Sequence, residues 1–164
     1  MIIPSATSPD TTERDERLKQ LLVRLRRSGY RLSAARRAVL EALVHSSAHP
    51  GAEDLYRQVV AEHPALSRAT VYKTLDLLRG LGEVLELEFR DSRIPANRYD
   101  GMRPNPHPHL VCVRCGRIDD VLLEAMDAQV SQAAGSAGYA LERFRFDVYG
   151  TCPQCQGADA PGTA

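Results

Sequence analysis

The chain has 164 residues, 43% of them hydrophobic, and its 21 basic residues balance its 21 acidic residues. This length is enough for one domain, or for two small ones, with a buried core. The even balance excludes a polycation, so contact with nucleic acid would have to come from local clustering of charge. Nine basic residues against two acidic ones between Arg14 and Arg37 form such a cluster, although the solvated faces of two helices would give the same pattern.

Apolar periodicity predicts four helices in the first half of the chain. The first helix has a leucine face with the spacing i, i+3, i+4, i+7, which consists of Leu18, Leu21, Leu22 and Leu25. The second begins after Ser33, which can cap it, and the third covers about residues 52–62. The fourth helix is capped by Ser67 and exposes one polar face. Its buried face consists of Val71, Leu75 and Leu78.

After the fourth helix the apolar period changes to two. Leu85, Leu87 and Phe89 alternate with glutamates, a polar turn follows, and residues 97–100 can return as a second strand. Short helices followed by a two-stranded ribbon are typical of a winged helix-turn-helix, in which one helix reads bases and the ribbon lies along the DNA backbone. A small α+β core without a ligand fits the periodicity equally well. We assign this first domain to residues 13–100.

A segment rich in Gly, Pro and Asn, residues 101–106, predicts a hinge before a second domain at residues 107–156. Two strands are predicted there, at 109–113 and 117–121, followed by a helix at about 122–134. The alternating residues Phe144, Phe146 and Val148 predict a third strand. The predicted class is therefore α+β, with an α/β second domain. Because the half of the chain from Gly101 onward is only about 60 residues long, we expect zinc and a partner subunit to complete its core. Residues 1–12 and 157–164 are predicted to be flexible ends.

The four cysteines occur as two Cys-x-x-Cys pairs, Cys112 with Cys115 and Cys152 with Cys155. The N-terminal sequence lacks the pattern of a secretory signal, and no apolar run approaches the ~18 residues of a membrane span. We therefore expect a cytoplasmic protein without membrane contact, whose thiols stay reduced. Each Cys-x-x-Cys pair can form a tight turn, or knuckle, that presents two sulfurs, and two knuckles can supply the four thiolates of a closed, structural zinc site. A rubredoxin-like iron site and a redox dithiol are the competing interpretations.

A second set of possible ligands is weaker as a motif. His107 and His109 are two residues apart, so both imidazoles project to one face of an extended segment. Asp100 precedes the hinge, Asp120 follows the first knuckle, and His49 follows the second helix. Nitrogen and oxygen ligands suit Fe(II) or Mn(II) better than a four-sulfur site does. Histidine pairs of this kind also occur without a metal.

Three motifs, in order along the chain, resemble the ferric uptake regulator family. They are Ser67-Arg-Ala-Thr70-Val-Tyr72-Lys-Thr-Leu75, His107-Pro-His109-Leu-Val-Cys112-Val-Arg-Cys115-Gly116 and Tyr149-Gly150-Thr-Cys152-Pro-Gln-Cys155. The resemblance covers about residues 17–156. It implies a dimeric winged-helix repressor, not an enzyme, that binds palindromic operator DNA when its regulatory metal is bound. It also implies that the second domain is a dimerisation domain.

Within that family the chain is most similar to the peroxide-responsive branch. The ligand set of the branch falls on His49, Asp100, His107, His109 and Asp120. The similarity implies that Fe(II) at this set reacts with hydrogen peroxide, that His107 or His49 is oxidised, and that the DNA is released. Mn(II) would support DNA binding without that chemistry. An iron- or manganese-uptake regulator of the same family, without peroxide chemistry, is the alternative.

Other branches of the family differ at single positions. Zinc-sensing relatives often use a further cysteine, and both knuckles here already use every cysteine. Nickel-sensing relatives have a histidine where this chain has Asn105, and the iron-sensing branch commonly has a glutamate at Asp100 and a histidine at Phe144. One position departs from the peroxide branch, because Lys73 stands where an asparagine is common.

The resemblance also points to residues that contact DNA. We expect Tyr72 to contact a base or a thymine methyl group, with a half-buried core tyrosine as the alternative. Arg68, Thr70 and Lys73 can serve bases or phosphates, and Arg36 near the start of the second helix can grip the backbone. A small zinc-ribbon redox protein or metal carrier is the rival from another class. It would have reactive thiols and no affinity for an operator.

Overall fold

The computed structural model describes residues 9–46, 48–89, 96–121, 123 and 126–157. The chain divides into two compact units, of which the first ends at Asn105 and the second begins at Pro106. None of the helices within the described ranges combines the length and the apolar character that a membrane crossing requires.

The first unit begins with four helices. Their bounds are α1 Thr11–Arg27, α2 Ala34–His45, α3 Ala52–Val60 and α4 Arg68–Gly80. Ser33 and Ser67 cap α2 and α4 as predicted, because each side chain accepts the amide three residues later. Asp10 forms a capping box with Glu13, so α1 begins inside the segment 1–12 that was predicted to be flexible. The rest of that segment, residues 1–8, lies outside the described residues, as do residues 158–164.

The core of the first unit consists of aliphatic side chains from all four helices. The largest buried ones are Leu21, Leu25, Leu40, Leu55, Leu75 and Leu78, each at most 1% exposed. Each fully buried leucine contributes roughly 1.5–3 kcal/mol relative to an exposed one. The predicted leucine face of α1 and the predicted buried face of α4 are confirmed, because all of their residues lie in this core.

A two-stranded wing follows α4. Strand β1, Leu85–Leu87, pairs antiparallel with β2, Arg98–Asp100, so that Glu86 lies opposite Tyr99. One carboxylate oxygen of Glu86 accepts hydrogen bonds from the Asn97 amide at 2.7 Å and the Tyr99 hydroxyl at 3.1 Å, and the other pairs with Arg79 at 2.8 Å. Because Arg79 belongs to α4, this cluster attaches the wing to the helix. The predicted winged helix-turn-helix order is confirmed.

The second unit is a three-stranded sheet with two helices. Its elements are β3 His109–Cys112, β4 Ile118–Asp120, α5 Met126–Ser136, β5 Asp147–Gly150 and α6 Pro153–Gly157. The sheet order is β4-β3-β5, with β3 antiparallel to β4 and parallel to β5. The α/β prediction is confirmed, but the last strand was placed too early, since Phe144 and Phe146 precede β5. The predicted helix start at Leu122 lies outside the described residues, and Gly157 belongs to α6 instead of a flexible end.

Little apolar surface is buried within the second unit. Among the residues of this unit that the structure describes, the buried hydrophobic side chains are Val111, Cys112, Ile118 and Cys152, and none of the described side chains of α5 is buried. On one face of the sheet Leu110 lies beside Val148, and these side chains are 45% and 41% exposed. The unit therefore has an uncovered apolar face and a very small core.

Candidate metal centres and nucleic-acid interface

The structure brings the four cysteines of the second unit together. One sulfur from each lies within 4.8 Å of all the others, and the Sγ atoms of Cys115 and Cys152 are 3.7 Å apart. Four thiolates at Zn–S distances of 2.3 Å form a tetrahedron whose edges are about 3.8 Å. A disulfide would need about 2 Å between two sulfurs. The cluster therefore fits zinc in a closed tetrahedral site, and the predicted structural zinc is confirmed as a cofactor.

Local backbone geometry explains how each pair forms a knuckle. The first pair turns between β3 and β4, where the Gly116 amide donates to the Cys112 carbonyl at 2.9 Å and Gly116 adopts a φ of 74°. That left-handed conformation favours glycine. The second pair lies at the start of α6, whose first residue is Pro153. Proline suits this position because the N–H that it lacks would have no acceptor within the helix. Arg114 joins the knuckles by donating to the Cys155 carbonyl at 2.8 Å.

The crowded sulfurs have unequal acidities. The amide of Cys152 donates to the Cys112 sulfur at 3.3 Å, and this hydrogen bond, with one from the Cys115 amide, lowers the pKa of Cys112 to about 6. Hydrogen bonds with the sulfurs of Cys152 and Cys115 raise the pKa of Cys155 to about 12. Four adjacent thiolates repel one another unless a cation is present. Metal binding at this cluster is therefore coupled to proton release.

A second donor group in the same unit contains two imidazoles and one carboxylate. Asp120 Oδ1 lies 3.3 Å from His107 Nε2 and 3.8 Å from His109 Nε2, and the ring centroids of the two histidines are 4.4 Å apart. Antiparallel pairing explains the arrangement, since His109 on β3 is the register partner of Asp120 on β4. Neighbouring ligands of a six-coordinate ion are about 3 Å apart. Two histidines and a carboxylate are a donor set that fits Fe(II) or Mn(II).

A third group, in the first unit, consists of His49 and Asp100. The segment after His49 pairs with β2, because the Tyr99 amide donates to the Pro50 carbonyl at 3.0 Å and Gly51 bridges to Arg98. This pairing brings His49 Nε2 to 3.8 Å from Asp100 Oδ2. The other oxygen, Oδ1, accepts the amides of Met102 and Arg103 at 2.8 and 2.9 Å. The carboxylate is thus held from one side, with Oδ2 directed towards the histidine.

The predicted DNA-contacting residues on α4 differ in how exposed they are. Tyr72 is 46% exposed and Lys73 is also exposed, so the alternative of a core tyrosine is wrong. Arg68 Nε donates to both carboxylate oxygens of Glu53 at 3.1 Å, and its guanidinium lies 4.2 Å from the centre of the Tyr56 ring. Two side chains of α3 therefore fix the direction of Arg68.

Two further predicted contacts have internal partners. The Thr70 hydroxyl lies 3.0 Å from the Ser67 hydroxyl, and the Thr70 amide donates to that same Ser67 oxygen, so Thr70 belongs to the cap of α4. Arg36 Nη1 donates to the Arg31 carbonyl before α2. Of the basic residues between Arg14 and Arg37, sequence reasoning also missed the role of Arg14. This buried side chain donates to the carbonyls of Val44 and Ser46 at the end of α2, and no local pattern signals that contact.

The fold and the donor groups define a class of protein: a winged-helix regulator with a metal-binding second unit. A sequence model of the ferric uptake regulator family matches residues 27–149, and the chain belongs to this family of metal-responsive regulators. The peroxide operon regulator of Bacillus subtilis is 36% identical over 138 residues, which cover 84% of this chain and 92% of that protein.

Solved structures support the same fold. The ferric uptake regulator of Helicobacter pylori superposes with a TM-score of 0.70 at 20% identity, covering 90% of this chain and 96% of that one. A zinc-bound manganese uptake regulator superposes with a TM-score of 0.62 at 28% identity, covering 80% of this chain and 98% of that one. The predicted family is confirmed.

Proposed function

We propose that the protein is a dimeric, cytoplasmic repressor that binds palindromic operator DNA with Fe(II) or Mn(II) bound and leaves it after reaction with peroxide. One observation carries this proposal: nitrogen and oxygen donors occur as one group in each unit, on either side of residues 101–106. The group in the first unit is His49 with Asp100, and the group in the second is His107, His109 and Asp120. The similarity to a peroxide operon regulator supports the peroxide branch.

A single ion that takes ligands from both groups would couple the two units. It would restrict the angle between them, and in a dimer it would set the spacing of the two α4 helices on DNA. The switch can only be as strong as the difference in metal affinity between the DNA-binding and the non-binding arrangement. The five donors would leave one position of a six-coordinate ion for a small oxidant.

The peroxide step is proposed to end on a histidine. Fe(II) held by these residues would activate hydrogen peroxide for attack on one of its own ligands. In the net reaction one peroxide oxygen is added to an imidazole carbon and the other leaves as water, so the histidine is the group oxidised. The side chains of His49 and His107 are each 9% exposed, whereas that of His109 is 1% exposed. We therefore expect oxidation at His49 or His107, which weakens their ligation and releases the DNA.

The dimer is proposed to form through the second unit. Leu110 and Val148 lie side by side on one sheet face and are 45% and 41% exposed, and Phe146, two residues before Val148, is 45% exposed. A second copy of the same face would cover these side chains, which a unit with so small a core needs for stability. Two α4 helices related by twofold symmetry would then match a palindromic operator.

The decisive experiment is DNA binding by the zinc-loaded protein, titrated separately with Fe(II), Mn(II) and further Zn(II) and then exposed to hydrogen peroxide. The proposal expects Fe(II) and Mn(II) to promote binding, and peroxide to abolish it only in the iron form. His107→Ala should lose the metal response. His63→Ala is the matched control, because His63 is an exposed histidine outside both donor groups. A normal response in His107→Ala would contradict the assignment of the site.

An iron- or manganese-uptake regulator is the second candidate, favoured by the likeness to a manganese uptake regulator. The donor groups serve it equally well, so the two candidates differ only in the peroxide chemistry. Mass spectrometry of the peroxide-treated iron form separates them. One added oxygen that fragmentation localises to His49 or His107, and none on His45 or His63, supports peroxide sensing. An unmodified protein that still leaves the DNA when metal is removed supports the uptake regulator.

A further inference from the structure

An aspartate that lies outside the predicted ligand set faces one of the histidines in the second unit. Strand β3 is the middle strand of the sheet, so His109 has a register partner on each side: Asp120 on β4 and Asp147 on β5. The two carboxylates face different nitrogens of the same ring. Nε2 lies 3.8 Å from Asp120 Oδ1, and Nδ1 lies 3.8 Å from Asp147 Oδ1.

The carboxylate of Asp147 is mostly buried, and Arg145 holds the oxygen that faces away from His109. The Asp147 side chain is 11% exposed, and Oδ2 accepts a hydrogen bond from Arg145 Nε. Oδ1, the oxygen directed at His109, is buried and has no hydrogen-bond partner within the described ranges of the chain. A buried carboxylate oxygen without a donor is costly, and a nearby N–H that can turn towards it would lower that cost.

A metal-bound imidazole has a particular need for such a partner. When one ring nitrogen binds a metal, the other carries a proton, and a carboxylate that accepts a hydrogen bond from this N–H fixes both the tautomer and the orientation of the ring. The separation of 3.8 Å is longer than a hydrogen bond, so the two atoms must approach by almost 1 Å for one to form.

We propose that Asp147 is a positioning residue for His109: its carboxylate accepts a hydrogen bond from Nδ1–H, which keeps the proton on Nδ1 and presents Nε2 as the metal-binding nitrogen. The proposal rests on the proposed function, in which His109 is a ligand of Fe(II) or Mn(II). Asp147 itself would not bind the ion, because it faces the nitrogen of His109 that points away from Asp120.

The chain offers a matched control for substitutions at Asp147. Asp119 on β4 also pairs with an arginine two residues before it, since Arg117 Nε donates to Asp119 at 2.9 Å, just as Arg145 donates to Asp147. Asp119 is the register partner of Leu110, not of His109. Asp119→Ala therefore removes an equivalent Arg–Asp pair from the same sheet without changing the surroundings of His109.

The test measures Mn(II) affinity of the zinc-loaded protein by electron paramagnetic resonance of free Mn(II), together with zinc content. Asp147→Ala should weaken Mn(II) binding about 10- to 100-fold. Asp119→Ala should leave it unchanged, and Asp147→Glu should restore most of the loss. An unchanged Mn(II) affinity in Asp147→Ala would overturn the proposal.

A second measurement does not depend on any variant being folded. Long-range ¹H–¹⁵N correlation spectra of the unsubstituted, zinc-loaded protein report which nitrogen of His109 carries the proton when the ring is neutral. The proposal expects Nδ1–H, and a predominant Nε2–H tautomer would contradict it. His109→Ala distinguishes a failure of the proposed metal site from a failure of the proposed role of Asp147. If that variant binds Mn(II) normally, the proposed metal site fails; if it loses Mn(II) while Asp147→Ala does not, only the role of Asp147 fails.

Discussion

The sulfurs of Cys115 and Cys152 lie 3.7 Å apart although 37 positions separate them in the sequence. They connect the turn between β3 and β4 to the segment after β5. Few apolar side chains are buried in this unit, and α5 contributes none among its described residues. A zinc ion on the four cysteines would therefore contribute a large share of the stability of the second unit.

Replacing Cys115 by Ser should remove the zinc and unfold the second unit. Structural zinc binding contributes roughly 10 kcal/mol or more in small zinc domains, which exceeds what the small core here can replace. Metal analysis should find almost no zinc, and the variant should lose the dimer by light scattering. Thr151→Ser, next to Cys152, is the control and should retain zinc. A zinc-free Cys115→Ser protein that remains a folded dimer would show that the cluster is not structural.

The wing depends on a different kind of contact, the partly buried carboxylate of Glu86. Burial alone would raise the pKa of Glu86, but hydrogen bonds from Asn97, Arg79 and Tyr99 outweigh it and lower the pKa below its ordinary value of 4.5. A carboxyl group whose pKa is lower in the folded than in the unfolded state stabilises the fold at pH values above its unfolded-state pKa. That stabilisation is lost as the pH falls through the folded-state pKa. The stabilisation by Glu86 is therefore complete at neutral pH and disappears in acid.

Glu86→Gln should lower the free energy of unfolding by roughly 1–2 kcal/mol at pH 7, because a charged acceptor of three hydrogen bonds becomes neutral. The difference from the parent protein should shrink as the pH falls below about 4. Urea denaturation at pH 7, 5 and 3.5 measures both effects. Glu88→Gln, two residues further along at an exposed position, is the comparison variant. A difference that stays constant across this pH range would rule out the electrostatic explanation.

Much of the fold follows from local patterns, whereas pairing between distant segments does not. The leucine spacing of α1, the Ser67 cap and the alternation of Leu85 and Leu87 each specify their element by themselves. The start of β5 could not be predicted from its own residues. The alternation beginning at Phe144 fits a strand, but the ladder with β3 begins only at Asp147, opposite His109.

The same limit applies to the candidate site. Its ligand types could be predicted from motifs, because cysteine pairs and a His-x-His run are visible in the sequence. The supporting residues could not, because Arg14 and Asp147 act through carbonyls or side chains that are far away along the chain. An arginine in a basic run and an aspartate between apolar residues look like surface residues until the tertiary contacts are known.

Tyr72 should affect DNA binding without affecting stability. Its side chain is 46% exposed on α4, so Tyr72→Ala removes little buried surface. We expect operator affinity to fall by roughly 10- to 100-fold, the range for loss of one good base contact. Fluorescence anisotropy with operator DNA measures the affinity, and thermal unfolding should change little. Tyr139→Ala, at a position that is 75% exposed in the second unit, should bind DNA normally.

Gly101 is required by close packing in the first unit. A Cβ atom there would lie 2.6 Å from Leu43 Cγ, and Leu43 is only 2% exposed. Gly101→Ala should therefore lower the free energy of unfolding by roughly 1–3 kcal/mol, the usual cost of overpacking a core. The displacement would also move Asp100, so Mn(II) affinity should fall.

At Gly80, in the same unit, we expect substitution by alanine to stabilise the protein and not to destabilise it. No atom lies within 4 Å of a Cβ built there, and the residue ends α4 with a helical conformation. Gly80→Ala should raise the free energy of unfolding by about 0.5–1 kcal/mol, because alanine restricts the unfolded chain more than glycine does. Mn(II) affinity should not change. Urea denaturation followed by circular dichroism compares the two variants directly. If both were destabilised equally, general sensitivity of the unit to added methyl groups, and not contact with Leu43, would explain the effect of Gly101→Ala.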